Sequence, residues 1–259
     1  MNAAFAWPGG KRALVPTLLK LLPSDHSLYC EVFAGSAKLL FAKEPSRREV
    51  INDLNGDVTN FFRVVKHAGC ELAERLEAEC IHSGRFRELR EAAPPSCEID
   101  RALRFAYLTW YSFSAKGEHF ASNKIGGKQL RSLASIRITL QRVAERLASV
   151  QIEQRDFIEI LQRFDSRDTL FYLDPPYVDF GSNGRYEALT VEQRSALFST
   201  IAQLKGRALV SFDDHAEIRN LAKQHGLQMR SAAMRYSLGG GHRAKDAPEL
   251  LLANYPLAA

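Results

Sequence analysis

T169-L-F-Y-L-D-P-P-Y177 is the stretch on which the reading of this chain turns. TLFYLD (169–174) reads as a buried apolar strand, and it stops at two prolines. Each proline lacks an N–H and fixes φ, so a central strand cannot continue through them and the chain must leave the sheet at Asp174. Strand-like and helix-like segments alternate on both sides of this corner. Downstream lie the helix 191–204, the strand ALVSF (208–212), the helix 215–226, and the closing strands 228–236 and 249–255. Upstream lie the strand VQIEQ (150–154) and the helix 156–164. Near the start come the strand SLYCEVF (27–33), the helix 36–44, the strand EVIND (49–53) and the helix 54–68. Strand and helix taking turns predict an α/β fold, a mostly parallel sheet with helices on both faces.

Between 69 and 149 the strand signal disappears. Leu103, Tyr107, Trp110, Tyr111 and Ser114 fall at helical spacing, and ITLQRVAERLASV (138–150) carries a similar apolar stripe. Within this interval KGEHFASNKIGGKQLR (116–131) is rich in Gly, Ser, Asn and Lys and reads as an exposed loop or hairpin. The expected organisation is one domain built from 1–68 and 150–259, with a mainly helical domain, 69–149, inserted into it.

A chain of 259 residues, 46% hydrophobic and 25% charged, can bury a sizeable core and is neither a disordered tail nor a coiled coil. No apolar run approaches the ~20 residues a bilayer requires. The N-terminal MNAAFAWPGGKR lacks the pattern of a secretory signal, so a cytoplasmic protein without a membrane partner is expected. Cys30, Cys70, Cys80 and Cys97 form no C-x-x-C pair and have no histidine at zinc-ligand spacing; reduced thiols and no metal are expected. The net charge of +5 is unevenly spread. Residues 101–150 hold nine Lys and Arg against two acids, so a basic insertion sits in a near-neutral body.

Three elements carry chemistry. The turn E31-V-F-A-G-S-A-K38 joins a strand to a helix through small residues, which lets backbone approach a ligand near a helix N-terminus. Asp53 ends the next strand, where a carboxylate accepts ribose hydroxyls in adenosine-containing cofactors; it could equally cap the following helix. The third is the Asp-Pro-Pro-Tyr corner. An exocyclic amine on a planar base is a poor nucleophile because its lone pair is delocalised into the ring. The Asp174 carboxylate and the Pro175 carbonyl can both accept its N–H bonds and localise that pair, Pro175 and Pro176 hold the acceptors rigid, and Tyr177 offers a face for stacking.

W7-P-G-G-K11, F33-A-G-S36, N52-D53 and D174-P-P-Y177, in this order and with a basic insertion before the last, resemble the Dam-type (D12 class) DNA adenine N6-methyltransferases. The likeness extends to L189-T-V-E192, V210-S-F-D-D-H215 and Y236-S-L-G-G…E249-L-L-L. It implies a Rossmann-like sheet that uses S-adenosylmethionine, with the insertion as a DNA-recognition domain acting on duplex DNA. Carried over to this chain, Trp7 and Lys11 would pack over the methionine end of the cofactor, although Trp7 also reads as an apolar anchor. Phe33, Gly35 and Ser36 would line its turn, and Asp53 would hold the ribose. Asp156 and Phe157 would meet its adenine, although Asp156 with Glu159 also spells a helix capping box. Asp174, Pro175, Pro176 and Tyr177 would form the catalytic corner, with Asp174 also at the cofactor. The chain departs from the family at Ala37, where a second glycine is usual, and this bears on cofactor affinity.

The resemblance also assigns Y111-S-F-S-A-K-G and the segment 112–131 to DNA contact, with Lys116, Lys124, Lys128 and Arg131 as the phosphate-binding candidates. Tyr107, Trp110 and Tyr111 read instead as core. The alternatives are methylation of another planar amine, on RNA or a protein glutamine, and a DNA-binding homologue that has lost catalysis. A nicotinamide-dependent dehydrogenase lacks its dinucleotide fingerprint. Neither the recognition sequence nor a cognate restriction endonuclease is written in the residues.

Overall fold

The computed structural model describes residues 3–5, 7, 13–121, 132, 134–178, 188–236 and 245–257. Seven strands form one sheet among them, in the order β3-β2-β1-β4-β5-β7-β6. Five are parallel: β1 (Leu28–Glu31), β2 (Arg48–Asn52), β3 (Val150–Glu153), β4 (Thr169–Leu173) and β5 (Arg207–Asp213). β7 (Lys245–Ala253) runs antiparallel to β5 and to the edge strand β6 (Gln228–Tyr236). The chain winds outward from β1 through β2 to β3, then returns to β4 on the other side of β1. The reversal between β1 and β4 is the topological switch point of a doubly wound, Rossmann-like sheet.

Side-chain alternation along the central strands explains why they read as continuous apolar runs. Leu28 and Cys30 of β1, Phe171 and Leu173 of β4 and Val210 and Phe212 of β5 enter the core on one face; Tyr29, Leu170, Tyr172 and Leu209 enter the core on the other. Both faces are covered, so both positions of the period-two pattern are mostly apolar, and the polar residues that do occur there, such as Glu31, Glu49 and Ser211, are hydrogen-bonded. On the first face lie α7 (Phe157–Phe164), α8 (Val191–Gln203) and α9 (Ala216–Gln224). Thr190 opens α8 with a reciprocal capping box to Gln193.

The opposite face holds α1 (Val15–Leu21), α2 (Lys38–Ala42) and α3 (Gly56–Glu77), together with α4 (Ser83–Glu91), α5 (Glu98–Trp110) and α6 (Ala134–Leu147). α1 has no counterpart in the sequence reading. The helix expected to end at 68 instead breaks there, with Ala68 at φ −135°, ψ 29°, and resumes to Glu77 because Leu72, Ala73 and Leu76 have a buried surface to meet. The helical interval shares its core with the sheet: Leu103, Tyr107, Leu140 and Val143 belong to the same buried cluster as Tyr29, Ile51 and Leu170. Tyr107 and Tyr111 are fully buried, in keeping with their reading as core. No helix of the described residues is long and apolar enough to cross a membrane.

A buried ionic knot fastens α6 to the sheet. Glu49 of β2 accepts Lys43 Nζ at 2.7 Å and both terminal nitrogens of Arg146, and Arg146 also donates to Leu40 O at 2.9 Å. The Glu49 carboxylate is 1% exposed, so its removal strands two cations away from water. Glu49→Ala should therefore cost about 3–5 kcal/mol, read as a lower urea midpoint at unchanged slope; a midpoint near that of the parent would show that the knot is not a structural fastening.

Candidate active site

The site gathers at the carboxyl ends of the parallel strands. After β1, Gly35 adopts φ +48°, and a Cβ there would lie 2.8 Å from Trp7 Cδ1. Glycine is required twice over, by conformation and by the indole packed on it. Gly35 N–H donates to Asp53 Oδ2 at 2.8 Å, and Asn55 N–H donates to Asp53 Oδ1 at 2.9 Å. The N-cap of α3 is Asn55, whose side chain accepts from Asp57 N–H, and this corrects the alternative that gave the cap to Asp53. Asp53 instead ties the turn after β1 to the turn after β2. Asn52, quoted in the N52-D53 motif but given no role there, is 2% exposed and donates to Val32 O and Arg155 O at 2.9 and 3.0 Å while accepting from Arg155 N–H at 2.9 Å. It clamps three strand ends together. Ser36 is buried beside this turn.

The Phe33 and Phe157 rings lie 5.6 Å apart at 34°, bringing the turn after β1 against the start of α7. Asp156 caps α7 by accepting Ile158 N–H at 2.8 Å. The reciprocal half of a capping box is missing, because Glu159 pairs with Arg155 instead.

At the end of β4 the chain leaves the sheet. The register pairs Glu31 with Tyr172, so Phe33 and Asp174 stand two residues beyond on adjacent strands, on the two sides of the switch point. Ser211 Oγ donates to Asp174 Oδ1 at 3.1 Å and lies 2.9 Å from the Tyr172 hydroxyl. Ser211 has one proton and spends it on Asp174, so Tyr172 is the donor to Ser211. Burial raises the Tyr172 phenol well above its usual range and keeps that donor protonated. Pro175 is buried; Asp174, Pro176 and Tyr177 are half-buried. The Tyr177 ring stacks on Phe212, with centroids 6.4 Å apart and planes at 26°, and its hydroxyl donates to the buried Glu249. Val178 N–H donates to Asp213 at 3.3 Å, closing the corner.

Glu31 is 2% exposed and accepts from the Tyr29 hydroxyl at 2.8 Å and from Leu40 N–H. Burial pushes its carboxyl up to about 7 against the pull of those two bonds, and the negative field of Asp174 adds to the rise.

A second concavity opens beyond Trp7. It is a cleft of about 510 Å³ lined by Trp7, the start of α3, Arg90, one face of α5 and residues 116–119. Ser112 and Phe120 form an antiparallel bridge that closes the loop carrying residues 116–119. Lys116 is exposed here. Lys11, Lys124, Lys128 and Arg131 lie outside the described residues.

Residues 7–235 match the D12 class N6 adenine-specific DNA methyltransferase family. The chain belongs to that family. Among its relatives, the Type II methyltransferase M1.LlaDCHI of Lactococcus lactis subsp. cremoris is 25% identical over 198 residues, 72% of this chain and 69% of that protein. The Type II methyltransferase M.CviBI of Paramecium bursaria Chlorella virus NC1A is 22% identical over 228 residues, 85% of this chain and 86% of that protein. The DNA adenine methylase of Haemophilus influenzae is 23% identical over 184 residues, covering 66% and 62%.

The residues of this DNA adenine methyltransferase fit an adenosine-bearing methyl donor: a turn that a Cβ at position 35 would obstruct, an aromatic pair from two strand ends, and the Asp53 carboxylate at the end of β2. Asn52, Ser211, Glu31 and Glu249 were missed as supporting residues. Their signal in the sequence is a polar residue set in or beside an apolar strand, which by itself does not say what it faces.

Two outcomes test this geometry. Ala37, the departure from the family's glycine, sits at φ +50°, ψ 41° at the start of α2 without a side-chain cap. Ala37 is also fully buried, so Ala37→Gly sets relief of about 1–2 kcal/mol of left-handed strain against the loss of a buried methyl and a looser unfolded chain, and the urea midpoint should stay close to that of the parent; a loss of about 2 kcal/mol, the cost without any relief, would show that the alanine is unstrained. Glu31 binds its proton more tightly folded than unfolded, about 7 against 4.5, so the stability it gives is complete below pH 4.5 and is lost as pH rises through 7. The Tm of the parent should fall relative to Glu31→Gln across that window, and parallel curves would refute a buried, protonated Glu31.

Proposed function

We propose that this methyltransferase places a methyl group from S-adenosylmethionine on N6 of an adenine flipped out of duplex DNA, with Asp174 and Pro175 presenting the amine. The carrying observation is the position of the Asp-Pro-Pro-Tyr corner across the switch point from Phe33 and the Gly35 turn. In this reading Phe33, Gly35, Ser36 and Trp7 enclose the cofactor from the β1 side, and Asp53 accepts its ribose hydroxyls while holding the turn. Phe157 meets its adenine beside Asp156, and Lys11 lies at its methionine end. A carboxylate offers about four acceptor positions, so structural and ligand bonds can coexist on Asp53.

S-adenosylmethionine supplies a methyl group bound to a cationic sulfur. The chain's own residues do the rest. Asp174 Oδ and the Pro175 carbonyl accept the two N–H bonds of the adenine amine and turn its lone pair toward the methyl. Ser211 fixes the carboxylate from behind, and the prolines keep both acceptors from swinging away. The nitrogen would gain the methyl as the carbon–sulfur bond breaks, the electron pair of that bond staying on sulfur as a neutral thioether, and its surplus proton would leave to Asp174 or to water. Extruding the base costs a few kcal/mol, and stacking on Tyr177 returns ~1–3 kcal/mol of it. The catalytic domain is 1–68 with 150–259, and 69–149 is the target-recognition part, with Lys116, Lys124, Lys128 and Arg131 at phosphates. Work in the cytoplasm follows from a DNA substrate and reduced cysteines.

Asp174→Ala should reduce transfer of tritiated methyl to duplex DNA by at least ~10²-fold while leaving duplex binding largely intact. Near-normal turnover in that variant would remove Asp174 from the chemistry.

A further inference from the structure

We propose that the cleft between α5, the end of α4 and residues 116–119 seats the sugar-phosphate backbone of the DNA strand that enters the site, with Arg101 and Arg104 as phosphate contacts. This rests on the reading of the chain as an enzyme acting on duplex DNA, and it adds residues outside the 112–131 hairpin. Arg101, Arg104, Phe105 and Leu108 fall three, four and seven positions apart, so one face of α5 forms the wall: cations at one end, apolar surface at the other. The volume, about 510 Å³, is of the size that takes a nucleotide unit. Four cations, Arg90, Arg101, Arg104 and Lys116, line it against the carboxylates of Asp57 and Glu118.

The partners of these cations sort them. Arg90 meets Glu91 at 3.1 Å and donates to Glu118 O; Arg101 donates to Gly56 O through one terminal nitrogen, while its buried Nε–H, 3.4 Å from the exposed Asp57 carboxylate, makes no hydrogen bond among the described residues. Arg104 is half-buried, yet its guanidinium donates to the carbonyls of Leu89 and Arg90 at the end of α4, at 2.6 and 3.2 Å, and has no carboxylate partner among the described residues. Lys116 likewise makes no ion pair among them. Arg104 and Lys116, with no ion pair among the described residues, and Arg101, with an unused Nε–H, thus line one concavity with Trp7, Phe105, Leu108 and the carboxylates of Asp57 and Glu118. A guanidinium held in place by carbonyls keeps its full charge and a fixed orientation, which suits a phosphate oxygen. Trp7 is the wall between this cleft and the Gly35 turn, so a strand lying here runs beside the site of methyl transfer.

The test is the salt dependence of duplex binding by the full chain, measured by anisotropy on a duplex that carries the methylated site and on one that lacks it. Each phosphate contact adds about 0.9 to the slope of log Kobs against log salt. Arg104→Gln and Arg101→Gln should each lower that slope by about 0.9, weaken both duplexes equally, and leave S-adenosylmethionine affinity unchanged. Arg104→Lys, which keeps the charge but not the fork, should retain the slope. Parent-like slopes in both glutamine variants would overturn the proposal while leaving methyl transfer and the functional reading intact, as would a loss confined to the site-bearing duplex, which marks base readout. A parent that binds neither duplex would defeat the functional reading itself. Should Arg104→Gln melt early, Arg101→Gln carries the same test alone.

Discussion

The constraint on which the rest depends is the reversal of winding between β1 and β4. A parallel sheet covered on both faces leaves its chain only at the strand ends, and where successive connections turn to opposite sides the two neighbouring loops are driven apart. Here those loops are 32–37 and the one that leaves β4 at Asp174. Val32 N–H still donates to Tyr172 O at 3.0 Å, so the strands stay paired up to the point of divergence. The concavity between the loops is therefore a product of topology. Specific residues are needed only to hold its rims, which Asp53 and Asn52 do on one side and Ser211 and Asp213 on the other.

The inserted helices are coupled to that concavity through aromatic packing. Phe5 contacts Trp7, Phe61, Phe62 and Phe105 with centroids 5.2 to 5.6 Å apart, and Trp7 reaches Phe105 at 5.8 Å. Trp110 Nε1 donates to Ala4 O at 3.2 Å. Each such ring pair contributes about 0.5–1.5 kcal/mol beyond its buried area, so residues 3–5 and 7 are held against α5 with the indole packed on Gly35. Trp7 is both an apolar anchor and a wall of the turn. The sequence offered it as packing over a cofactor or as an apolar anchor, and the aromatic contacts bear out the anchor.

What could be read from the sequence follows from what each signal depends on. The strand β4 and its end at Asp174 were legible because proline acts through local covalent geometry, and the parallel sheet was legible because burial on both faces writes itself as unbroken apolar runs. Asp53 was placed at a strand end by the same logic. Its bonds to Gly35 and Asn55 were not legible, since one of them joins residues from different strands whose approach is set by the sheet. The continuation of α3 past Ala68 was hidden for a related reason: the local break is real, and only packing of Leu72 and Leu76 carries the helix across it. Arg104 was one cation among many in a basic interval. Its lack of a carboxylate partner belongs to the assembled helices.

Glu31 and Asp174 show how adjoining strand ends divide two carboxyl groups between two tasks. Both stand at the switch point, and the proximity of Asp174 is among the influences that raise Glu31. Burial is the larger influence. Glu31 is sealed beneath α2 with a phenol and one backbone N–H, whereas Asp174 is half-buried and receives the hydroxyl of Ser211. Burial therefore favours the protonated form of Glu31. A neutral Glu31 can still accept from the Tyr29 hydroxyl and Leu40 N–H, so the turn after β1 keeps its shape whether or not the proton is present. The two sides of the switch point are thus held by different means: the corner at residue 174 by Ser211 and two prolines, and the turn across from it by a carboxyl whose charge burial suppresses.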